Sequence, residues 1–404
     1  MALPQDDDKT DPHLQIPASF QKKDPPPRLQ PVPPLAPTGT PLAPATTDLP
    51  PPKMPQLGIL EPYMVDPSIT EVMVNDTRNI MIEREGRLTA SNTRFESIDE
   101  LNRITRNILD ITGRILSPDQ PYVDVMMPDG SRVNIVGPPL TLRGPCITIR
   151  KFPTRSLSLE DLMRAGTLDR KMAFFLSLVV MGRLNLLICG GTGAGKSTLL
   201  NALLKFVPKQ ERLIIIEDTP ELQLEHINSV RLQTKPQTPG SPSIPARELV
   251  ANALRMRPDR IVVGECRRGE AFDMIQAMNT GHEGSMTTIH SNSPRDSLAR
   301  LETLALMGAP ELPLAAIRRQ VASTIDVIVQ LKRMRDGSRR IAQISELTGM
   351  EGDAYTLQDI YTFDPQTGSS DRKGTGQFKV SGLVPTVVER LRDLGFEVPH
   401  QLFE

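Results

Sequence analysis

The 404 residues carry 47 basic and 48 acidic side chains, a formal net charge of −1, no tryptophan and 4% aromatic residues. Balanced charge supplies no global attraction to a polyanion, and scarce aromatics argue against a stacking platform for single strands, so no nucleic-acid partner is expected. The longest apolar run, Met172 to Gly182, is too short to span a bilayer. The acidic start MALPQDDDKT lacks a signal-peptide pattern, and three cysteines without a C-x-x-C pair read as a reduced, cytoplasmic protein with no structural zinc cluster.

Residues 1–55 hold sixteen of the 38 prolines and no apolar periodicity. Such a segment buries too little surface to offset its ordering entropy, and a disordered proline-rich tail is expected, as a tether or a docking sequence. Residues 56–152 read as a small α+β domain. Ile69–Asn75, Asn79–Arg84, Tyr122–Met127, Ser131–Val136 and Cys146–Arg150 have strand character, with turns at Glu85-Gly86 and Asp129-Gly130. Ser97 to Gly113 repeats apolar residues mostly at three- and four-residue steps, as an amphipathic helix does. Residues 153–170 read as a linker with a short helix, which Ser158 caps with Asp161 three residues on.

Residues 171–404 alternate strands and helices, which implies a parallel sheet covered on both faces. Within them, Gly190, Gly191, Thr192, Gly193, Ala194, Gly195, Lys196 and Ser197 fit G-x-x-x-x-G-K-[ST] without a mismatch, and Thr198 follows. An apolar run, Leu184 to Cys189, precedes them and a helical pattern follows, the setting a P-loop requires. The glycines let backbone N–H groups turn inward as an anion nest, and the helix N-terminus adds positive potential. Lys196 would reach the β- and γ-phosphates of ATP, and the Ser197 hydroxyl would ligate Mg²⁺.

Two further apolar runs end in acids: Arg212–Ile216 in Glu217-Asp218, and Ile261–Val263 in Gly264-Glu265. Glu265 fits the Walker-B pattern and could hold Mg²⁺ through water or orient the attacking water. Glu217 is a second candidate, and solvated strand ends are the alternative for both. Gly281 to His290 contains two of the five histidines, His282 and His290. Their eight-residue spacing is a poor metal signature, and the segment suits a γ-phosphate sensor as well as a structural loop. Lys235 to Pro245 reads as a mobile loop. Asp326–Leu331 and Arg339–Ile344 flank Asp336-Gly337 as a β-hairpin, expected at the sheet's edge. In the first domain Arg132, Arg143 and Arg150 read as surface arginines, although an arginine fork suits phosphate oxygens.

The motifs together are distinctive: Asp66-Pro67-Ser68-Ile69-Thr70-Glu71-Val72-Met73-Val74-Asn75, the P-loop, Glu217-Asp218-Thr219, Leu254 to Arg260 running into Gly264-Glu265, Met278-Asn279-Thr280-Gly281-His282, and Thr348-Gly349-Met350-Glu351-Gly352. Over residues 57–404 the chain resembles the ATPases of type II and type IV secretion and pilus assembly, and within them the CpaF type of Tad/Flp pili. The resemblance implies a RecA-like P-loop ATPase domain behind the α+β domain. It also implies an ATP- and Mg²⁺-dependent homohexamer at the cytoplasmic face of the inner membrane. That ring would drive platform proteins, through which it would be held at the membrane. Glu217 and Glu265 would be catalytic carboxylates, with His290 beside them and His282 at the nucleotide. Arg132, Arg143 and Arg150 match arginines that such proteins point at the nucleotide. The conjugation branch of the same superfamily is the alternative. A proline tail stands where CpaF-type chains carry a helical extension.

Overall fold

The computed structural model describes residues 53–84, 86–152, 156–237, 241–365 and 376–404. The expected tail before residue 53 and Glu85 of the expected turn lie outside them. The described residues fall into two compact units, which part between Phe152 and Pro153.

In the first unit a short helix, α1 (Glu61–Val65), leads into six strands: β1 (Ile69–Val74), β2 (Ile80–Arg84), β3 (Arg87–Ala90), β4 (Tyr122–Met126), β5 (Arg132–Val136) and β6 (Cys146–Arg150). They form one antiparallel sheet in the order β3-β2-β1-β6-β5-β4. Helix α2 (Ile98–Thr112) starts where the Ser97 side chain accepts the Glu100 N–H and stops at Gly113, whose φ of +64° suits glycine. Its Leu101, Ile104 and Ile108 share one core with Val72, Val133, Ile135, Ile147 and Ile149. Strand β3 was not legible in the sequence. All four of its residues are exposed, so it lacks the apolar alternation that marks a strand.

The second unit is built on nine strands: β7 (Leu186–Gly190), β8 (Leu213–Glu217), β9 (Ser229–Gln233), β10 (Arg260–Val263), β11 (Met286–Ile289), β12 (Val327–Arg333), β13 (Arg339–Glu351), β14 (Ala354–Pro365) and β15 (Gly376–Val380). Their order is β15-β14-β13-β12-β7-β11-β10-β8-β9. From β12 to β9 all neighbours are parallel. From β12 to β15 they are antiparallel.

The helices are α3 (Leu159–Arg164), α4 (Arg170–Met181), α5 (Lys196–Leu204), α6 (Ala246–Ala253), α7 (Glu270–Asn279), α8 (Pro294–Gly308), α9 (Leu314–Thr324) and α10 (Val387–Asp393). Alternation along the buried strands divides the core. Leu187, Cys189, Ile214, Ile216, Ile261 and Val263 pack with residues of α6 to α9. Their neighbours Leu186, Ile188, Leu213, Ile215 and Val262 are equally buried and point to the other face, as a sheet covered on both sides requires. The segment read as a linker carries α3, whose capping box pairs Ser158 with Asp161. Leu159 and Leu162 are buried, and Asn201 of α5 donates to the Ser156 hydroxyl at 2.8 Å.

The hairpin about Asp336-Gly337 forms but is not at the sheet's edge. Its first strand, β12, lies beside the P-loop strand β7, and β14 and β15 continue the sheet beyond β13. The sequence shows the turn and does not show which neighbour a strand takes. The 235–245 loop is closed at its base, where Lys235 and Ile244 exchange N–H···O bonds of 2.9 and 2.8 Å; residues 238–240 lie outside the described ones.

Candidate nucleotide site

Strand β7 delivers the glycine loop to the carboxyl edge of the parallel sheet, where ligands of open α/β sheets bind. Gly190 has no room for a side chain: a Cβ there would stand 2.7 Å from the Leu331 carbonyl oxygen of β12. Gly195 opens α5 with φ +97°, a conformation that favours glycine. Lys196 is buried, and its Nζ donates to the Gly190 and Gly191 carbonyls at 3.2 and 3.3 Å. The same Nζ stands 3.3 Å from His290 Nδ1 and 3.5 Å from Nε2.

Glu265 follows β10, and His290 follows β11, the strand between β10 and β7. The Thr288 hydroxyl donates to the Gly264 carbonyl at 2.8 Å, and Cys266 N donates to the Thr288 carbonyl at 2.9 Å. These bonds fix the backbone on both sides of Glu265. Its Oε2 accepts Arg267 Nε at 2.7 Å, and Arg267 also reaches Asp218 at 3.7 Å. Oε1 lies 2.6 Å from His290 Nε2, yet outside hydrogen-bonding geometry, and is buried without a hydrogen bond. A buried carboxylate oxygen left so is costly, and functional sites are where such costs collect. Burial, then the Lys196 ammonium, hold His290 below the ordinary imidazole range, with Glu265 opposing them. The imidazole is therefore neutral near pH 7.

Ser197 Oγ donates to Glu221 Oε2 at 2.7 Å. Glu217 presents this acid. Its Oε1 accepts the N–H groups of Glu221 and Leu222 at 2.8 and 2.9 Å, and its Oε2 pairs with Arg231 at 3.1 Å. The sequence reading singled out Glu217 and passed over Glu221 and Arg267. A carboxylate four residues past a strand end has no motif of its own, and only the turn folded over Glu217 brings Glu221 to the P-loop serine. The thiols of Cys189 and Cys266 are pushed up to about 12 by burial and stay protonated.

The structure does not bring His282 to this loop within the chain. His282 precedes β11 and His290 follows it, so roughly 13 Å of strand separates them. The His282 ring instead stands 3.1 Å from the Ala277 carbonyl at the end of α7. In the first unit Arg132 and Arg150 are direct cross-strand partners, on the face opposite the buried Val133, Ile135, Ile147 and Ile149. Arg150 also pairs with Glu71 at 3.7 Å. Arg143 belongs to the loop between β5 and β6 and pairs with Asp76 at 3.5 Å.

The donor set fits a hard divalent cation. Ser197 Oγ, Glu221 and Glu265 would offer oxygen donors, which suit Mg²⁺ better than a softer metal. Strand order, glycine loop and acidic strand ends define a RecA-like P-loop protein. The family model for type II/IV secretion system proteins matches residues 54–367, and the chain belongs to that family. A putative conjugal transfer protein of Mycobacterium tuberculosis is 36% identical over 321 residues, 78% of this chain and 90% of that one. The type IV secretion system protein VirB11 of Bartonella henselae is 32% identical over 70% of this chain and 91% of its own. The ATPase DotB of Yersinia pseudotuberculosis shares the fold at 21% identity and a TM-score of 0.52, covering 71% of this chain and 77% of DotB. These likenesses establish the secretion ATPase superfamily and not the Tad branch within it.

Proposed function

We propose that the chain hydrolyses ATP as a homohexameric motor at the cytoplasmic face of the inner membrane, driving a membrane platform of a pilus or secretion machine. The observation that carries this reading is the meeting of Lys196, Ser197, Glu221, Glu265 and His290 at one edge of the parallel sheet. A polyphosphate seated in the loop would draw Lys196 Nζ from the two glycine carbonyls onto its β- and γ-oxygens. Mg²⁺, held by Ser197 and through water by Glu265 and Glu221, would neutralise charge on those phosphates. Glu265 then orients the attacking water through its unbonded Oε1, and neutral His290 beside it can take up or pass on a proton. Glu217 acts as a positioning residue for Glu221.

Arg132 and Arg150 act on the nucleotide of a neighbouring subunit as arginine fingers, with Arg143 as a further phosphate contact. Support comes from the cross-strand pair, which gathers two guanidinium groups on the sheet face opposite the core, and an arginine fork suits phosphate oxygens. Arg150→Ala should bind ATP and hydrolyse it poorly, and Lys196→Ala should be inactive. Mixing the two variants should restore part of the phosphate release, and the gain should depend on the mixing ratio, with none at either pure end. No recovery, with mixed rings confirmed by tagged pull-down, sinks the assignment in trans.

Between branches, the Thr348–Gly352 and Leu357–Ile360 segments support Tad pilus assembly. The likeness to a conjugal transfer protein and to VirB11 supports conjugation or type IV secretion as the second reading. Membrane association would come through partners; no described helix is long and apolar enough to cross a membrane.

A further inference from the structure

The β12–β13 turn carries Lys332, Arg333, Arg335, Arg339 and Arg340 against one acid, Asp336. Asp336 serves the turn, where its Oδ1 accepts Ser338 N and Oγ at 3.0 and 2.7 Å. The register sets Arg333 opposite Arg339 and Lys332 opposite Arg340, two like-charged pairs in succession. Each pair costs stability in an isolated ribbon.

The two pairs sit on opposite faces of the hairpin. On one face Arg340 donates to the Ala165 carbonyl at 2.8 Å and lies 6.0 Å over the Phe363 ring. That face is the hairpin's packing contact with the unit. On the other face the arginines meet the glycine loop. Arg339 Nε donates to the Gly193 carbonyl at 2.9 Å. A Cβ built on Gly193 would stand 3.3 Å from Arg333 Nη1, and one on Gly195 would stand 3.2 Å from Arg339 Cδ. The hairpin is anchored there, because Leu331 is in register with Gly190, the first residue of the loop. Two guanidinium groups of the same chain therefore lie against the glycine loop, whose backbone N–H groups form an anion nest.

We propose that this hairpin is a second phosphate-binding element supplied in cis, in which Arg333 contacts the phosphate chain of the bound nucleotide and Arg339 positions the loop through Gly193. The planar fork of Arg333 suits phosphate oxygens. The element differs from Arg132 and Arg150 in belonging to the chain whose P-loop it serves. It rests on the reading of the loop as a nucleotide site.

Calorimetry on the full chain tests it, with ADP and inorganic pyrophosphate as probes. Arg333→Ala should weaken both by the same factor, about ten- to a hundredfold, the loss of a charge-assisted hydrogen bond. Arg333→Lys should recover part of it. Arg339→Ala should raise KM for ATP more than it lowers kcat, with partial return in Arg339→Lys, whereas a merely misfolded variant would lose kcat and melting temperature together. Mixing Arg333→Ala with Lys196→Ala should give no recovery of the lost affinity. Wild-type affinity in Arg333→Ala, or a loss seen for ADP and not for pyrophosphate, overturns the inference. If the wild-type chain takes up neither probe, the nucleotide reading itself falls and takes the hairpin's role with it.

Discussion

At the carboxyl edge of the parallel sheet Lys196, Glu265 and His290 meet beside the glycine loop; at the amino edge Arg260, Glu211, Arg183 and Asp259 meet around the starts of the same strands. Both clusters mix charges of both signs and both are partly buried. The amino edge spends its charges on the fold. Arg260 is fully buried, pairs with Glu211 and donates to the Val180 carbonyl at 2.6 Å. Arg183 reaches Glu211 at 3.1 Å and Asp259 at 3.3 Å, and Asp259 accepts the Arg212 N–H at 2.6 Å. The carboxyl edge places its charges at the glycine loop. There a lysine rests on the loop's own backbone carbonyls, and Glu265 stands beside His290. Composition does not separate a structural cluster from a reactive one, and neither does an unsatisfied atom, since Arg260 Nη2 and Glu265 Oε1 both lack a hydrogen bond; nearness to the glycine loop does.

The largest expected effect is at the reactive edge. Glu265→Gln keeps the shape and removes the charge, so it should bind ATP with Mg²⁺ and hydrolyse it about a hundred- to a thousandfold more slowly, within the range of a lost general base. Lys196→Ala should lose turnover and nucleotide affinity together. Phosphate release and equilibrium binding separate the two. An affinity loss in Glu265→Gln as large as that in Lys196→Ala would make Glu265 a binding residue.

Arg260→Ala should reverse that pattern. Removing one partner of a buried ion pair costs about 3–5 kcal/mol in measured cases where the other is left unpaired, and here Arg183 still reaches Glu211 at 3.1 Å. Glu211 is partly exposed, so the lower end is expected, read as a shift of the urea midpoint. Nucleotide affinity of the folded fraction should be unchanged. A variant as stable as the parent but weak in ATP binding would show that the two edges are coupled.

How far the sequence reaches can be judged on β11 and its flanks. The P-loop was legible because its eight positions have local meaning, and so were the acids that end β8 and β10. His282 and His290 looked equivalent in the sequence, being eight residues apart in one segment. The strand between them sends one to each edge, a fact of sheet topology that no local pattern records. Glu221 was illegible for a related reason: it reaches Ser197 only through the turn that Glu217 ties down. The hairpin at Asp336-Gly337 was visible as a turn, but its place beside β7 depends on a strand pairing more than 130 residues distant, between β12 at Val327–Arg333 and β7 at Leu186–Gly190.

The smallest expected effect is a pH slope that reports on His290. Burial and the Lys196 ammonium lower the His290 pKa in the folded chain, while the unfolded chain retains the ordinary value near 6.5. Between the folded value and 6.5 the unfolded state binds more protons at this site than the native state does. Stability therefore rises with pH through that window and falls as pH drops below about 6.5. Above 6.5 both states carry a neutral ring and the contribution is flat. Urea midpoints measured from pH 7.5 downward should show this slope in the parent and a shallower one in His290→Asn. The effect is modest because about a third of the His290 side chain is solvent-exposed. The sign is nevertheless definite, and an equal slope in the parent and His290→Asn would mean that Lys196 and His290 are not held together in solution as they are in the fold.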